Sequence, residues 1–257
     1  MSSRPLLVFD FDGVLVDGME EYWASARSAA LRLAPSLALP EAVPAGFTAL
    51  RPRIHKGWEM VLMAAELSRP ELSLPQLLSQ YDAALEPALA RWGWSAGRLQ
   101  QCLEEVRREA IRSDREAWLA RHRFYPGVPE RLRALADEGI DWLVLTTKGG
   151  AFAAELLAAA ELSPRAVYGH ERGSKPEVLL QLCREEGRIG FLEDRRPTLE
   201  QVRRTPGLEA VVCLLVAWGY LAPEDDQALP AGIELLTAER FGAPMASWPG
   251  FATVRPY

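Results

Sequence analysis

The second half of the chain keeps one rhythm: short apolar runs of strand length, separated by stretches with helical periodicity. The runs are Asp141–Leu145, Ala166–Tyr168, Ile189–Leu192 and Ala210–Val216, with Ile233–Leu236 as a last edge strand. Helical patterns fill the gaps at Val128–Glu138, closed by Gly139, then at Ala151–Glu161, Pro176–Glu186 and Pro197–Arg204. Short apolar runs bounded by turn signals suit strands buried on both faces. Parallel neighbours need crossover connections, and helices between strands supply them. The pattern therefore implies an α/β fold with a doubly wound parallel sheet. One further run, Pro5–Phe9, stands near the N-terminus and completes the set.

Between that first strand and the rest lies an insertion over residues 19–123 without a strand pattern. Helical spacing marks Glu20–Leu33, His55–Leu67, Leu74–Leu89 and Ala96–His122, punctuated by Pro35, Pro40, Pro44, Pro52, Pro70 and Pro75. The expected organisation is an α/β core over 1–18 and 124–240, with an all-α domain inserted at 19–123. The tail, 241–257, is rich in proline and aromatics and is expected to pack on the core or on a partner. Trp23, Trp58, Trp92, Trp94 and Trp118 fall in the insertion, where they read as helix-packing anchors or as the lining of a ligand pocket.

The chain has 257 residues, of which 49% are hydrophobic and 25% charged, enough material for a sizeable core. Its net charge of −6 disfavours nucleic acid as a partner. Cys102, Cys183 and Cys213 are too few and too scattered for a disulfide framework or a zinc site, and read as reduced thiols. No stretch reads as a signal peptide or a membrane span. The expectation is a cytoplasmic protein without membrane partners, a monomer or weak homodimer.

Chemistry concentrates at the strand ends. The first strand runs into Asp10-Phe11-Asp12-Gly13. Thr146 and Thr147 follow the second, Lys175 sits at a helix start, and Glu193-Asp194 ends Ile189–Leu192. A parallel sheet gathers these ends on one edge, where open α/β folds bind ligands. Three carboxylates suit a hard cation such as Mg²⁺. A hydroxyl, a lysine and helix N-terminal amides suit phosphate oxygens. One carboxylate can attack phosphorus as a nucleophile, and a second can move the proton.

In these motifs the chain resembles the haloacid dehalogenase superfamily, in its phosphoglycolate-phosphatase-like branch. The matching residues are Asp10-Phe-Asp12-Gly13-Val14, Thr146-Thr147-Lys148, Lys175-Pro176 and Phe191-Leu192-Glu193-Asp194, with Ala217-Trp-Gly-Tyr220 after the fifth strand. The resemblance implies a Mg²⁺-dependent hydrolase of phosphomonoesters working through an aspartyl-phosphate. Asp10 would be the nucleophile and Asp12 the general acid/base. Thr146, with Thr147 beside it, and Lys175 would bind the phosphoryl group. Asp10, the backbone carbonyl of Asp12 and Asp194 would hold Mg²⁺. The insertion would be the α-helical cap, and the substrate a small phosphorylated metabolite.

One position departs from the family pattern: Thr198 stands where a second Asp is common, and Glu193 is the candidate to compensate from beside the metal. Arg51, Arg53, His55 and Lys56 form a basic cluster that is either a solvated loop or a cap loop binding an anionic substrate. Lys148 is a candidate for phosphate or core–cap contact. Asp17 reads as the cap of the following helix, and Arg195 and Arg196 as salt-bridging residues near the site. Two alternatives share the fold: a phosphosugar mutase, and a catalytically weakened binding protein.

Overall fold

The computed structural model describes residues 5–251. The chain divides into two compact units, one of Met1–Asp17 with Phe124–Tyr257 and one of Gly18–Arg123. Eight strands are present among the described residues: β1 (Leu6–Phe9), β2 (Val16–Asp17), β3 (Arg123–Phe124), β4 (Asp141–Leu145), β5 (Val167–Tyr168), β6 (Ile189–Glu193), β7 (Val212–Val216) and β8 (Ile233–Leu236). Twelve α-helices accompany them. Seven belong to the second unit: α1 (Met19–Leu33), α2 (Ala45–Leu50), α3 (Gly57–Glu66), α4 (Leu74–Ser79), α5 (Tyr81–Trp92), α6 (Ala96–Ser113) and α7 (Arg115–Leu119). Five belong to the first: α8 (Val128–Asp137), α9 (Gly150–Ala159), α10 (Lys175–Glu185), α11 (Arg196–Arg204) and α12 (Ala238–Gly242).

The first unit is built on a six-stranded sheet in the order β5-β4-β1-β6-β7-β8. Every pairing in it is parallel. The sheet grows outward from β1 in both directions, so the switch of direction falls at β1, between β4 and β6. Side chains alternate across the sheet. Leu6 and Val8 face one side with Leu143, Leu145, Ile189, Phe191, Cys213 and Leu215, where Val178, Leu179 and Leu182 of α10 and Leu199 and Val202 of α11 cover them. Phe9 faces the other side, edge-on to Trp142 at 6.0 Å and to Phe241 at 6.3 Å.

The aromatics of the tail complete that second face. Phe241 packs against Trp218 at 5.1 Å and Trp248 at 5.3 Å, and the Arg131 guanidinium lies over the Trp248 ring. The Phe251 ring fills the space a side chain would need at Gly190 of β6, where a Cβ would lie 2.6 Å from its Cζ. The segment up to Phe251 is thus part of the first unit's core, and the remainder of the tail lies outside the described residues.

The second unit is helical, with α3 packed against α1 and α6. Most of α3 is buried, and its carboxylates are satisfied. Glu59 accepts from Tyr81 Oη at 2.9 Å and from the His55 N–H at 2.8 Å, while Glu66 accepts from Arg69, Arg91 and Trp92. Trp23 and Trp118 are buried anchors, whereas Trp58, Trp92 and Trp94 are half-buried. Two expected helices are each divided. The Leu74–Leu89 pattern breaks at Gln80, and the Ala96–His122 pattern breaks at Asp114, whose carboxylate caps α7 by accepting the Ala117 N–H at 2.9 Å. A polar side chain that satisfies the backbone locally competes with helix continuation. No helix is long and apolar enough to cross a membrane among the described residues.

Candidate active site

Because all six strands run the same way, the segments following β1, β4, β6 and β7 leave from one edge of the sheet. The ladders run slightly beyond the strands: the Asp10 N–H donates to Leu192 O, and the Thr146 N–H donates to Tyr168 O, both at 2.9 Å. The chain after β1 then turns sharply, with the Phe11 carbonyl accepting from Leu15 at 2.9 Å and from Val16 at 3.0 Å. Gly13 sits at φ +91°, and a Cβ there would lie 1.9 Å from Asp194 Oδ2, so the turn tolerates no side chain. Asp10 and Asp12 leave this turn beside Glu193 and Asp194.

Asp10, Glu193 and Asp194 are all buried and offer three carboxylate oxygens within 4.8 Å of one another. Lys175, the first residue of α10, joins them. Its Nζ lies 2.8 Å from Asp10 Oδ1 and 2.6 Å from Glu193 Oε2. Lys175 is fixed there by the helix start, where Glu177 accepts the Ser174 N–H at 2.9 Å in a capping box. Lys148 reaches the same edge from the β4–α9 loop. Its Nζ stands 3.2 and 3.4 Å from the two oxygens of Asp12, and its N–H donates to Thr146 Oγ1 at 3.1 Å.

The electrostatics follow from burial. Removal from water, reinforced by the charge of Glu193 and opposed by Lys175, raises the Asp10 carboxyl from 3.8 to about 7. Burial works the same way on Glu193, but Lys175 outweighs it and holds that carboxyl below its ordinary value. Burial disfavours the Lys175 charge, yet Asp10 and Glu193 together hold it above the ordinary lysine range. When all are ionised, four carboxylates (Asp10, Asp12, Glu193 and Asp194) stand against two ammonium groups, an excess of two negative charges. An all-oxygen donor set with that imbalance fits a hard divalent cation.

The candidate residues are therefore unevenly gathered. Asp10, Asp12, Thr146, Lys175 and Asp194 share the sheet edge, with Thr146 buried and Thr147 exposed. Glu193 stands in the carboxylate cluster itself and accepts from Lys175. Lys148 points at Asp12. The N-cap position of α1 is Gly18, and Asp17 Oδ1 accepts from Tyr220 Oη at 2.6 Å. Arg196 does form a salt bridge, to Glu200 at 2.8 Å. The basic cluster belongs to the second unit and is not uniform. Arg51 is buried with its guanidinium over the Tyr22 ring, His55 stacks on Tyr81 and pairs with Asp82 at 3.5 Å, Arg53 is half-buried, and Lys56 is exposed.

The sequence reading attached no role to the individual residues of 217–220. Trp218 Nε1 donates to Val14 O at 3.0 Å, and the Tyr220 N–H donates to Asp194 Oδ2 at 2.9 Å. The signal was a Trp-Gly-Tyr run directly after a fully apolar strand, in the position where ligand-binding loops of such sheets begin.

A model of the family described as haloacid dehalogenase-like hydrolase matches residues 5–197, a span that contains Asp10, Asp12, Thr146, Lys175 and Asp194. The N-acetylmuramic acid 6-phosphate phosphatase of Pseudomonas aeruginosa is 33% identical over 136 residues, which cover 49% of this chain and 58% of that protein. The chain thus spans little more than half the length of that curated relative. Among solved structures, a predicted phosphatase from Clostridium acetobutylicum superposes with a TM-score of 0.61 at 15% identity, covering 94% of this chain and 97% of the other. A predicted phosphoglycolate phosphatase from Haemophilus somnus gives 0.59 at 19%, covering 94% and 96%. Protein Tyrosine Kinase A of Mycobacterium tuberculosis gives 0.58 at 18%, covering 95% and 100%, so these likenesses speak for the fold alone. With the family model running from the first strand past the last acidic motif, the chain belongs to the haloacid dehalogenase-like hydrolases.

Proposed function

We propose that the chain is a Mg²⁺-dependent phosphatase that hydrolyses a small phosphorylated metabolite through an aspartyl-phosphate on Asp10. The observation that carries this reading is the placement of Lys175, bridging Asp10 and Glu193 inside a buried cluster of three carboxylates. An ammonium there holds the nucleophile in place and presents positive charge to an incoming phosphoryl group. The first step forms a bond from a carboxylate oxygen of Asp10 to phosphorus and breaks the bond to the leaving oxygen. Asp12, two residues on in the same turn, supplies the proton that the leaving alkoxide takes up. In the second step Asp12 takes a proton from water, whose oxygen attacks phosphorus and frees Asp10 and phosphate. Thr146 and Lys175 bind the phosphoryl oxygens, with the exposed Thr147 next to Thr146. Asp10, Asp194 and the Asp12 carbonyl would hold the metal, with Glu193 beside them. Mg²⁺ bound there would supply charge neutralisation for the phosphate dianion.

The helical unit is read as a cap that selects substrate. Arg51 packs on Tyr22 and His55 on Tyr81, so Arg53 and Lys56 are the members of the basic cluster assigned to an anionic substrate. The name of the curated relative makes N-acetylmuramic acid 6-phosphate the first substrate to try. The test is phosphate release from a phosphometabolite panel with and without Mg²⁺. Activity is expected with Mg²⁺ and lost in Asp10→Asn; undiminished turnover in that variant would overturn the assignment of the nucleophile.

A further inference from the structure

The loop after β7 meets the acidic turn, its flank and Asp194 at four points, and two of them involve Asp194 of the carboxylate cluster. The Tyr220 N–H holds Asp194 Oδ2 at 2.9 Å. Tyr220 Oη holds Asp17 Oδ1 at 2.6 Å, beyond the far end of the turn. Trp218 Nε1 holds the Val14 carbonyl at 3.0 Å, in the middle of the turn. Gly219 makes the fourth tie by close approach: a Cβ there would lie 2.3 Å from Asp194 Cβ and 2.5 Å from Gly13 O. Both neighbours belong to backbone or to the root of a side chain, so neither can swing aside. Gly13 also approaches Asp194 closely, and a Cβ there would lie 1.9 Å from Oδ2. Two glycines thus pack closely against Asp194, and one of its oxygens is fixed by a backbone amide.

We infer that residues 218–220 are positioning residues for Asp194, setting the orientation of its carboxylate and through it the affinity of the site for Mg²⁺. The inference rests on the metal reading proposed above. It assigns to Trp218, Gly219 and Tyr220 no contact with substrate. Their effect passes through the rigidity of Asp194: an oxygen held at a fixed place loses less freedom when it takes a cation. Partners that orient metal ligands are typically worth roughly 10–100-fold in metal affinity.

Isothermal titration of the full chain with MgCl₂, starting from EDTA-treated protein, tests this directly. Gly219→Ala is expected to raise the Mg²⁺ dissociation constant by roughly 10–100-fold. Tyr220→Phe keeps the backbone amide and removes the hydroxyl that holds Asp17, so a smaller rise is expected. Far-UV circular dichroism and the melting temperature in EDTA report whether each variant folds. Wild-type affinity in folded Gly219→Ala would overturn the inference and leave the metal reading standing. If Gly219→Ala does not fold, Tyr220→Phe decides by the same criterion. Wild-type protein that takes up no Mg²⁺ would overturn both.

Discussion

Replacing Lys175 by Met removes one buried positive charge from between two carboxylates while keeping a side chain of similar length. The ammonium lies 2.8 Å from Asp10 and 2.6 Å from Glu193, and the residue is only 9% exposed. Removing one partner of a buried ion pair costs roughly 3–5 kcal/mol, because the charge left behind is uncompensated. Asp10 softens that cost at low pH, since its carboxyl, already raised to about 7, can take up a proton. Loss of Lys175, which lowers that carboxyl, raises it further in the variant, so the cost is expected to grow as pH rises beyond that value. For a chain of this size each kcal/mol shifts the melting temperature by about 2–4 °C, so Lys175→Met should melt roughly 6–20 °C below wild type. The assay is calorimetry in EDTA at about one pH unit above the Asp10 value. Mg²⁺ should recover more stability in the variant than in wild type, because the variant site carries one more uncompensated negative charge. Phosphate release, measured at saturating Mg²⁺, should fall by about 10²–10³. A variant that melts with the wild type in EDTA would refute the reasoning, since it would mean that Lys175 does not offset the buried carboxylates.

Two further perturbations probe each unit. In metal-free protein Asp10 holds its proton over a window, from its ordinary 3.8 up to about 7, where the unfolded chain has lost it. That contribution is complete below the window and disappears as pH rises through it, with a slope of at most about 1.4 kcal/mol per pH unit. Glu193, lowered, keeps its contribution above the ordinary Glu value and loses it only in more acid solution, so it does not mask the effect. Urea unfolding at several pH values should show this decline in wild type and a flatter profile in Asp10→Asn; parallel profiles would contradict the buried placement of Asp10. In the helical unit, Arg107 holds buried Glu21 through two bonds of 2.8 and 2.9 Å. Arg107→Met should cost roughly 3–5 kcal/mol, and adding Glu21→Gln should return much of it. A destabilisation by Arg107→Met that the double variant leaves unimproved would show that packing rather than charge matters there.

Much of the fold was legible because it rests on local patterns. Five-residue runs such as Asp141–Leu145 can be buried on both faces only as strands of a covered sheet, and the helices between them force parallel pairing. The Gln80 and Asp114 breaks escaped because apolar periodicity continues through them, while the interruption comes from backbone conformation and a single cap bond. The ribbon strands β2 and β3, two residues each, are too short to leave any period.

The site divides in the same way. The residue types and their place at strand ends are properties of the sequence: Asp10, Asp12, Thr146, Lys175 and Asp194 must meet once the sheet is parallel, because all its strands end on one edge. Which atom faces which was decided only by tertiary structure. Lys148 meets Asp12 across 136 residues of chain, and Tyr220 meets Asp17 across 203. Lys175 settles between Asp10 and Glu193, and Arg51 turns inward onto Tyr22. Periodicity records the face of an element that is buried. It carries no record of the neighbour brought opposite by strand order, and in a buried site that neighbour shifts the charge state of Asp10, Glu193 and Lys175.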